Sequence, residues 1–319
     1  MIELNDTGSS DIAAQFLRAR RKAGSPAMGM VMTLIFDVDE EDAEEAMNAA
    51  RLASREHPAR VLGVILGDGR GAPRVDAQVG IGSGWTGETA MIRLSGEVTK
   101  HPESVVLPLL LPDSPVVIWW PTRAPATPGD DPLGRLARRR ITDAAAAPSG
   151  KSKALLTQCR SYTPGNTDLA WTRITGWRAL LAAALDQHPG KVSAASVTAE
   201  RVSPSADLLA AWLSDRLRVE VERKHSDGPG ITSVALKTKN GAVSLDRPDG
   251  RLAILSSPNQ PDRPVALKRR DIAELLSEEL RRLDEDDIYA DTVMRMTKLH
   301  PGPSIAKPVR TRSSKARPL

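Results

Sequence analysis

The residues of this chain best suited to chemistry are arginines, tryptophans and a few acids. Arg135, Arg138, Arg139 and Arg140 stand almost side by side, and on a helix the first three would share nearly one face. Such a row could hold a phosphate or a line of carboxylates, because the guanidinium fork binds both. Alternatively it is a solvated helix end, where cations suit the dipole. Trp119 and Trp120 close an apolar run, so as strand residues they point to opposite faces of a sheet. One of the pair is expected in the core and the other against a helix layer or a partner. In an open α/β sheet, the carboxyl end of a strand is also where ligands bind. Trp171 lies between Asp168 and Arg173 and outside the apolar stripe of the helix that follows it. A desolvated Trp beside an Arg is a frequent hot-spot composition at interfaces.

Reactive patterns are missing. GDGRG (67–71) is neither GxGxxG nor a phosphate loop closed by Gly-Lys-Ser/Thr, and reads as a turn between strands. The five histidines stand far apart without HxH or HExxH spacing, and no Gly-x-Ser-x-Gly elbow occurs. Cys159 is the single cysteine, which excludes an internal disulfide and reads as a buried structural thiol. The expectation is a protein without catalytic residues, metal or cofactor that acts by binding.

The elements that must position these residues follow from apolar spacing. Residues 28–36 (MGMVMTLIF) and 59–66 (ARVLGVIL) read as buried strands around a helix that opens on acids at 37–45 and stops at Pro58, a βαβ unit with parallel pairing. Residues 91–98 and 116–120 read as further strands, 67–84 as a glycine-rich stretch, and 105–111 as a short helix. Asp131 and Pro132 signal a helix start that would carry DPLGRLARRR into a short strand at ITDA. Ile174, Trp177, Leu180, Leu181, Ala184 and Leu185 form the stripe of a long helix. Beyond HPGK (188–191), a helix capped at Ser203 precedes short strands at 219–225, 231–238, 242–245 and 252–255, expected to pair as an antiparallel meander. Asp271 and Glu274 form a capping box, and a last helix spans about 289–299. The fold class is therefore α/β: an N-terminal domain (1–189) with a mostly parallel sheet flanked by helices, a smaller α+β domain (190–300) with an antiparallel sheet, and a disordered basic tail (301–319).

Composition narrows the function classes. Of the 319 residues, 44 are Lys or Arg and 40 are Asp or Glu, and the surplus lies in the tail, leaving residues 1–300 about neutral. Nucleic-acid binding by the body is disfavoured on that ground. No apolar run approaches the ~18 residues of a membrane span, and the polar, acidic start is unlike a signal peptide, which points to a cytoplasmic protein.

SREHPARV (54–61), VVIWWP (116–121), DPLGRLARRRITDA (131–144) and YTPGNTDLAWTRITGWRALLAAALDQ (162–187) together resemble the signature blocks of the OpcA family of glucose-6-phosphate dehydrogenase assembly proteins. The resemblance implies a non-catalytic partner that binds glucose-6-phosphate dehydrogenase and favours its active oligomer, at the entry to the oxidative pentose phosphate pathway. Thiol-redox control, implied for some members, would need more than Cys159 for an intramolecular disulfide. The expected contacts are Trp119, Trp120, Arg135, Arg138, Arg139, Arg140, Asp168, Trp171 and Arg173. The alternative is a sugar-phosphate or nucleotide sensor built on the Arg135–Arg140 cluster.

Overall fold

The computed structural model describes residues 2–23, 29–81, 87–188 and 190–301; the basic tail from 302 and the first residue of the run at 28–36 lie outside them. Eight strands form the first sheet: β1 (Ile2–Leu4), β2 (Met32–Asp37), β3 (Ala59–Leu66), β4 (Arg74–Ile81), β5 (Glu88–Ser95), β6 (Val116–Trp119), β7 (Arg139–Thr142) and β8 (Asn166–Asp168), in the order β1-β4-β5-β3-β2-β6-β7-β8. The six strands from β5 to β8 are parallel, with registers such as Leu34 opposite Val61 and Val117. β4 and β1 add an antiparallel edge. β2 and β3 are apolar without alternation because helices cover both faces. Gly63 is required there: a Cβ would sit 2.4 Å from Phe36 Cζ.

The second sheet has six strands: β9 (Val192–Ala199), β10 (Val221–His225), β11 (Ile231–Thr238), β12 (Gly241–Asp246), β13 (Leu252–Ser256) and β14 (Arg263–Ala266). β11 to β13 pair as the expected antiparallel meander, β14 extends it by a strand the sequence did not show, and β10 is not its neighbour. β9, unread in the sequence, lies between β10 and β11 and pairs parallel with β10. The crossover from β9 to β10 is a helix, the connection that parallel neighbours require.

The nine α-helices among the described residues are α1 (Ser9–Ala23), α2 (Ala43–Ala53), α3 (Pro102–Val106), α4 (Lys151–Arg160), α5 (Leu169–Thr172), α6 (Thr175–Gln187), α7 (Pro204–Leu217), α8 (Ile272–Arg281) and α9 (Asp287–Leu299). Ser203 caps α7, and Asp271 with Glu274 completes the capping box of α8, as the sequence predicts. The helices are exchanged between the layers. Trp171, Trp177 and Leu181, on α5 and α6, share a core with the second sheet, α7 and α9. Leu275, Leu276 and Leu280 of α8 pack instead on α2 beneath the first sheet.

Two readings are corrected. The helix expected from Pro132 does not form. Asp131 does receive the amides of Leu133 and Gly134, both at 2.9 Å, but the chain makes only a 3-10 turn (Gly134–Leu136) and then enters β7. Gly134 packs so tightly on Pro128 that a Cβ would lie 1.9 Å from its carbonyl oxygen. Pairing of Arg139–Ile141 with β6 then overrides the helical preference of Leu-Ala-Arg. The glycine-rich stretch after β3 also contains β4, a full-length strand.

Candidate functional site

Counted along the parallel strands alone, the order β5-β3-β2-β6-β7-β8 is that of a dinucleotide-binding sheet, and the topological switch lies between β2 and β6. Trp119 ends β6 at this crevice and Trp120 follows it. They do point to opposite faces, but neither reaches solvent; each is 1 % exposed. Trp119 packs with α2 and α8, edge-on to Phe36 at 6.3 Å between ring centres. Trp120 enters the opposite core with Ile12 and Phe16, its Nε1 donating to Asp37 Oδ2 at 3.2 Å. Of the two settings expected for the second Trp, a helix layer or a partner, the structure gives the helix layer, because helices cover both faces of the sheet.

A cavity of about 320 Å³ opens at the carboxyl ends of β6 and β7, lined by Trp119, Asp42, Glu45, Asp143 and Arg173 among others. Trp119 Nε1 is buried there without a protein acceptor. Arg173 binds Asp143 through both guanidinium arms, at 2.6 and 2.7 Å. Two predicted residues, Trp119 and Arg173, thus meet at one crevice, joined by Asp143, which the sequence reading passed over.

The crevice does not fit a pyrophosphate. The turn from β2 to α2 carries Asp37, Asp39, Glu40, Glu41 and Asp42 and no glycine, so the backbone cannot close on phosphate and the helix dipole is already answered by acids. Burial, reinforced by the Asp131 and Asp39 carboxylates, pushes the Asp37 carboxyl up to about 7 despite the Trp120 hydrogen bond. A second anionic ligand would add to that repulsion.

The arginine cluster also differs from its expectation. Arg138–Arg140 alternate along a strand instead of sharing a helical face, and acceptors within the chain answer them. Arg135 is exposed and donates to the Asp130 carbonyl at 2.8 Å. Arg138, also exposed, pairs with Asp284 at 2.6 Å. Arg139 is buried and pairs with Glu279 at 2.8 Å, with a further bond to the Asp284 carbonyl at 3.0 Å. Arg140 donates to Asn166 Oδ1 at 2.5 Å and to the carbonyls of Ala137 and Pro164.

Trp171, expected outside the core, is 1 % exposed. Its Nε1 donates to Asp286 Oδ2 at 2.8 Å, Tyr289 lies 5.5 Å away, and the Arg178 guanidinium stacks 3.6 Å over its ring. Asp168 is fully buried; it caps α5 through the Ala170 amide at 2.8 Å and receives the Thr142 hydroxyl at 2.6 Å. Burial and Asp143 nevertheless raise its carboxyl above the ordinary range. Glu279 ties the network together, accepting from Arg139 and, at 2.6 Å, from the Thr172 hydroxyl. Four of the nine predicted residues, Trp119, Arg138, Arg139 and Trp171, therefore lie along the seam between the first sheet and the segment from α8 to α9. The acids on that seam, Glu279, Asp284 and Asp286, lie more than a hundred positions from their partners and gave no local signal.

Two family models match the chain in sequence: the glucose-6-phosphate dehydrogenase subunit N-terminal domain over residues 50–160, and its C-terminal domain over residues 164–293. The chain belongs to the OpcA family of glucose-6-phosphate dehydrogenase assembly proteins. The second OpcA model begins in the segment that carries Asp168, Trp171 and Arg173 and ends on α9, so it spans one whole side of the seam.

A comparison with curated proteins gives no match. Among solved structures, a 3-ketoreductase from Actinomadura kijaniata, KijD10, in complex with NADP and TDP-benzene, is 8 % identical, with 84 % of this chain and 95 % of that chain covered and a TM-score of 0.49. An oxidoreductase from Sinorhizobium meliloti gives the same identity and coverage with a TM-score of 0.44. Overlaps this loose say nothing of chemistry. No helix among the described residues is long and apolar enough to cross a membrane, and no group of three or more His, Cys, Asp or Glu among them could hold a metal ion.

Proposed function

We propose that this protein is a non-catalytic assembly factor and allosteric activator of glucose-6-phosphate dehydrogenase, working beside it in the cytoplasm and promoting flux into the oxidative pentose phosphate pathway. Membership of both halves of the chain in the OpcA family carries the reading. The packing supports it. The Trp and Arg residues of the signature blocks fix one sheet against the helices of the other, and a surface held that way can select one form of a partner. An activator that binds the active oligomer more tightly than other forms shifts the population toward it. A tenfold shift needs only ~1.4 kcal/mol of differential binding. Arg135, Arg138, Arg140 and Arg173 are the predicted contacts that reach solvent and would touch the partner. Trp119, Trp120, Arg139, Asp168 and Trp171 would act through the shape they hold.

The test is the rate, substrate affinity and mass of purified glucose-6-phosphate dehydrogenase with and without this chain. An unchanged rate, affinity and oligomeric state ends the proposal. The phosphate sensor built on Arg135–Arg140 is not favoured, since acceptors within the chain hold those guanidiniums.

A further inference from the structure

A second cavity, of about 470 Å³, lies between the start of α6, the start of α7 and the second sheet, and its charge is opposite to that of the switch crevice. Lys151, Arg173, Arg247, Lys268, Arg269 and Arg270 line it, against the acids Glu200 and Glu278. Part of this charge is answered: Arg173 by Asp143, Lys268 by Glu274 and Arg270 by Glu278. Glu200 Oε1 is occupied by the Gly230 amide at 2.7 Å.

Arg247 is the unusual member. It is 5 % exposed, and Trp177 lies under its guanidinium at 4.9 Å. Its two terminal nitrogens donate to the carbonyls of Leu267 and Ile231, both at 2.9 Å, and its Nε is buried without any protein acceptor. No carboxylate pairs with it directly among the described residues; Asp249 alone favours its charge from a distance. A second guanidinium comes close instead: a Cβ built on Gly230 would stand 3.9 Å from Arg269 Nε and 4.0 Å from Arg247 Nη2. Gly230 adopts φ +65, so the open space over it is a backbone requirement as well as a gap. Burial, with Arg269 beside it, pushes Arg247 down to about 10, still charged at neutral pH.

Two like charges converging on one open space lose energy unless an anion lies between them. The helix ends add to the attraction. Thr175 and Gly176 of α6, a helix with no side-chain cap, line the same cavity, as do Ser203, Pro204 and Ser205 at the start of α7. Trp177, Ile231 and Leu267 supply an apolar wall, and the volume is that of a small-metabolite site.

We propose that this cavity binds a phosphomonoester metabolite, its phosphate held between Arg247 and Arg269 above Gly230 and its sugar or nucleoside body against Trp177. The site is independent of the dehydrogenase, so calorimetry on the full chain alone tests it. The titrants at low salt are inorganic phosphate, a hexose 6-phosphate, adenosine monophosphate and the unphosphorylated hexose. Expected is saturable one-to-one binding of a phosphomonoester more tightly than inorganic phosphate, and none of the free hexose. Preference for the hexose phosphate or for the nucleotide identifies the body, and either supports the assignment. Arg269→Glu, at an exposed position, should weaken binding at least ~10-fold, while Arg269→Lys retains most of it. Arg247→Gln should do the same; if it does not fold, Arg269→Glu decides alone. The proposal is overturned if no phosphate compound binds below ~1 mM, if inorganic phosphate binds as tightly as the esters, or if Arg269→Glu leaves binding unchanged.

Discussion

Replacing Arg139 by Met would test whether the seam depends on a buried charge pair. The two side chains are 4 % and 7 % exposed, and their charged atoms lie 2.8 Å apart. Arg139→Met takes away the guanidinium that Glu279 pairs with, leaving the Thr172 hydroxyl, at 2.6 Å, as its remaining side-chain donor. Removing one partner of such a pair costs ~3–5 kcal/mol, because the other charge stays desolvated. Arg139 Nε already lacks an acceptor, so the native pair is incompletely satisfied. Replacing both members with apolar side chains should then cost little: Arg139→Met with Glu279→Leu is expected within ~1 kcal/mol of the native protein. Urea unfolding followed by circular dichroism and tryptophan fluorescence would measure all three variants. The reasoning fails if the single change costs less than ~1 kcal/mol, or if the double change costs the sum of the two singles.

Three further outcomes are expected. The Asp37 carboxyl is raised from 3.8 to about 7, so the folded state holds its proton longer than the unfolded chain and stability falls as pH rises between these values. The loss is on the order of 4 kcal/mol at most, and Asp37→Asn should remove it, stabilising the protein at pH 8 but not at pH 4 in urea melts at both. Asp286→Ala should cost ~1–3 kcal/mol, since it strands the buried Trp171 Nε1–H and removes the cap of α9; a thermal melt with intrinsic fluorescence would register both losses. Burial pushes the Cys159 thiol up to about 12, so aromatic disulfide reagents should label it only at the rate of unfolding and at once in concentrated urea.

The central parallel strands were legible because two-sided burial writes itself as continuous apolar runs, as in β2 and β3; β8, only Asn-Thr-Asp, carries no such run. β9 and β14 were harder: β9 alternates small and polar residues, and β14 holds only Arg-Pro-Val-Ala at an edge. The start of β7 was misread, since Arg139 and Arg140 favour helix locally and join the strand only through neighbours on both sides, while the strand itself was expected at ITDA. The same limit governed the site. Trp171, Arg138 and Arg139 stood out by type, but their partners lie near residue 280, and no local period connects residues so far apart. The Lys-Arg-Arg run at 268–270, beside the second cavity, carried a signal that the reading passed over.

The exchange of helices between the layers bears on how the chain is made. All strands of the first sheet have been synthesised by residue 168, yet α2 cannot cover its apolar side until α8 arrives more than a hundred residues later. A ribosome adding ~5–20 residues per second leaves that side bare for several seconds. Products that stop before α8 should therefore expose that apolar side and clump more readily than the full chain.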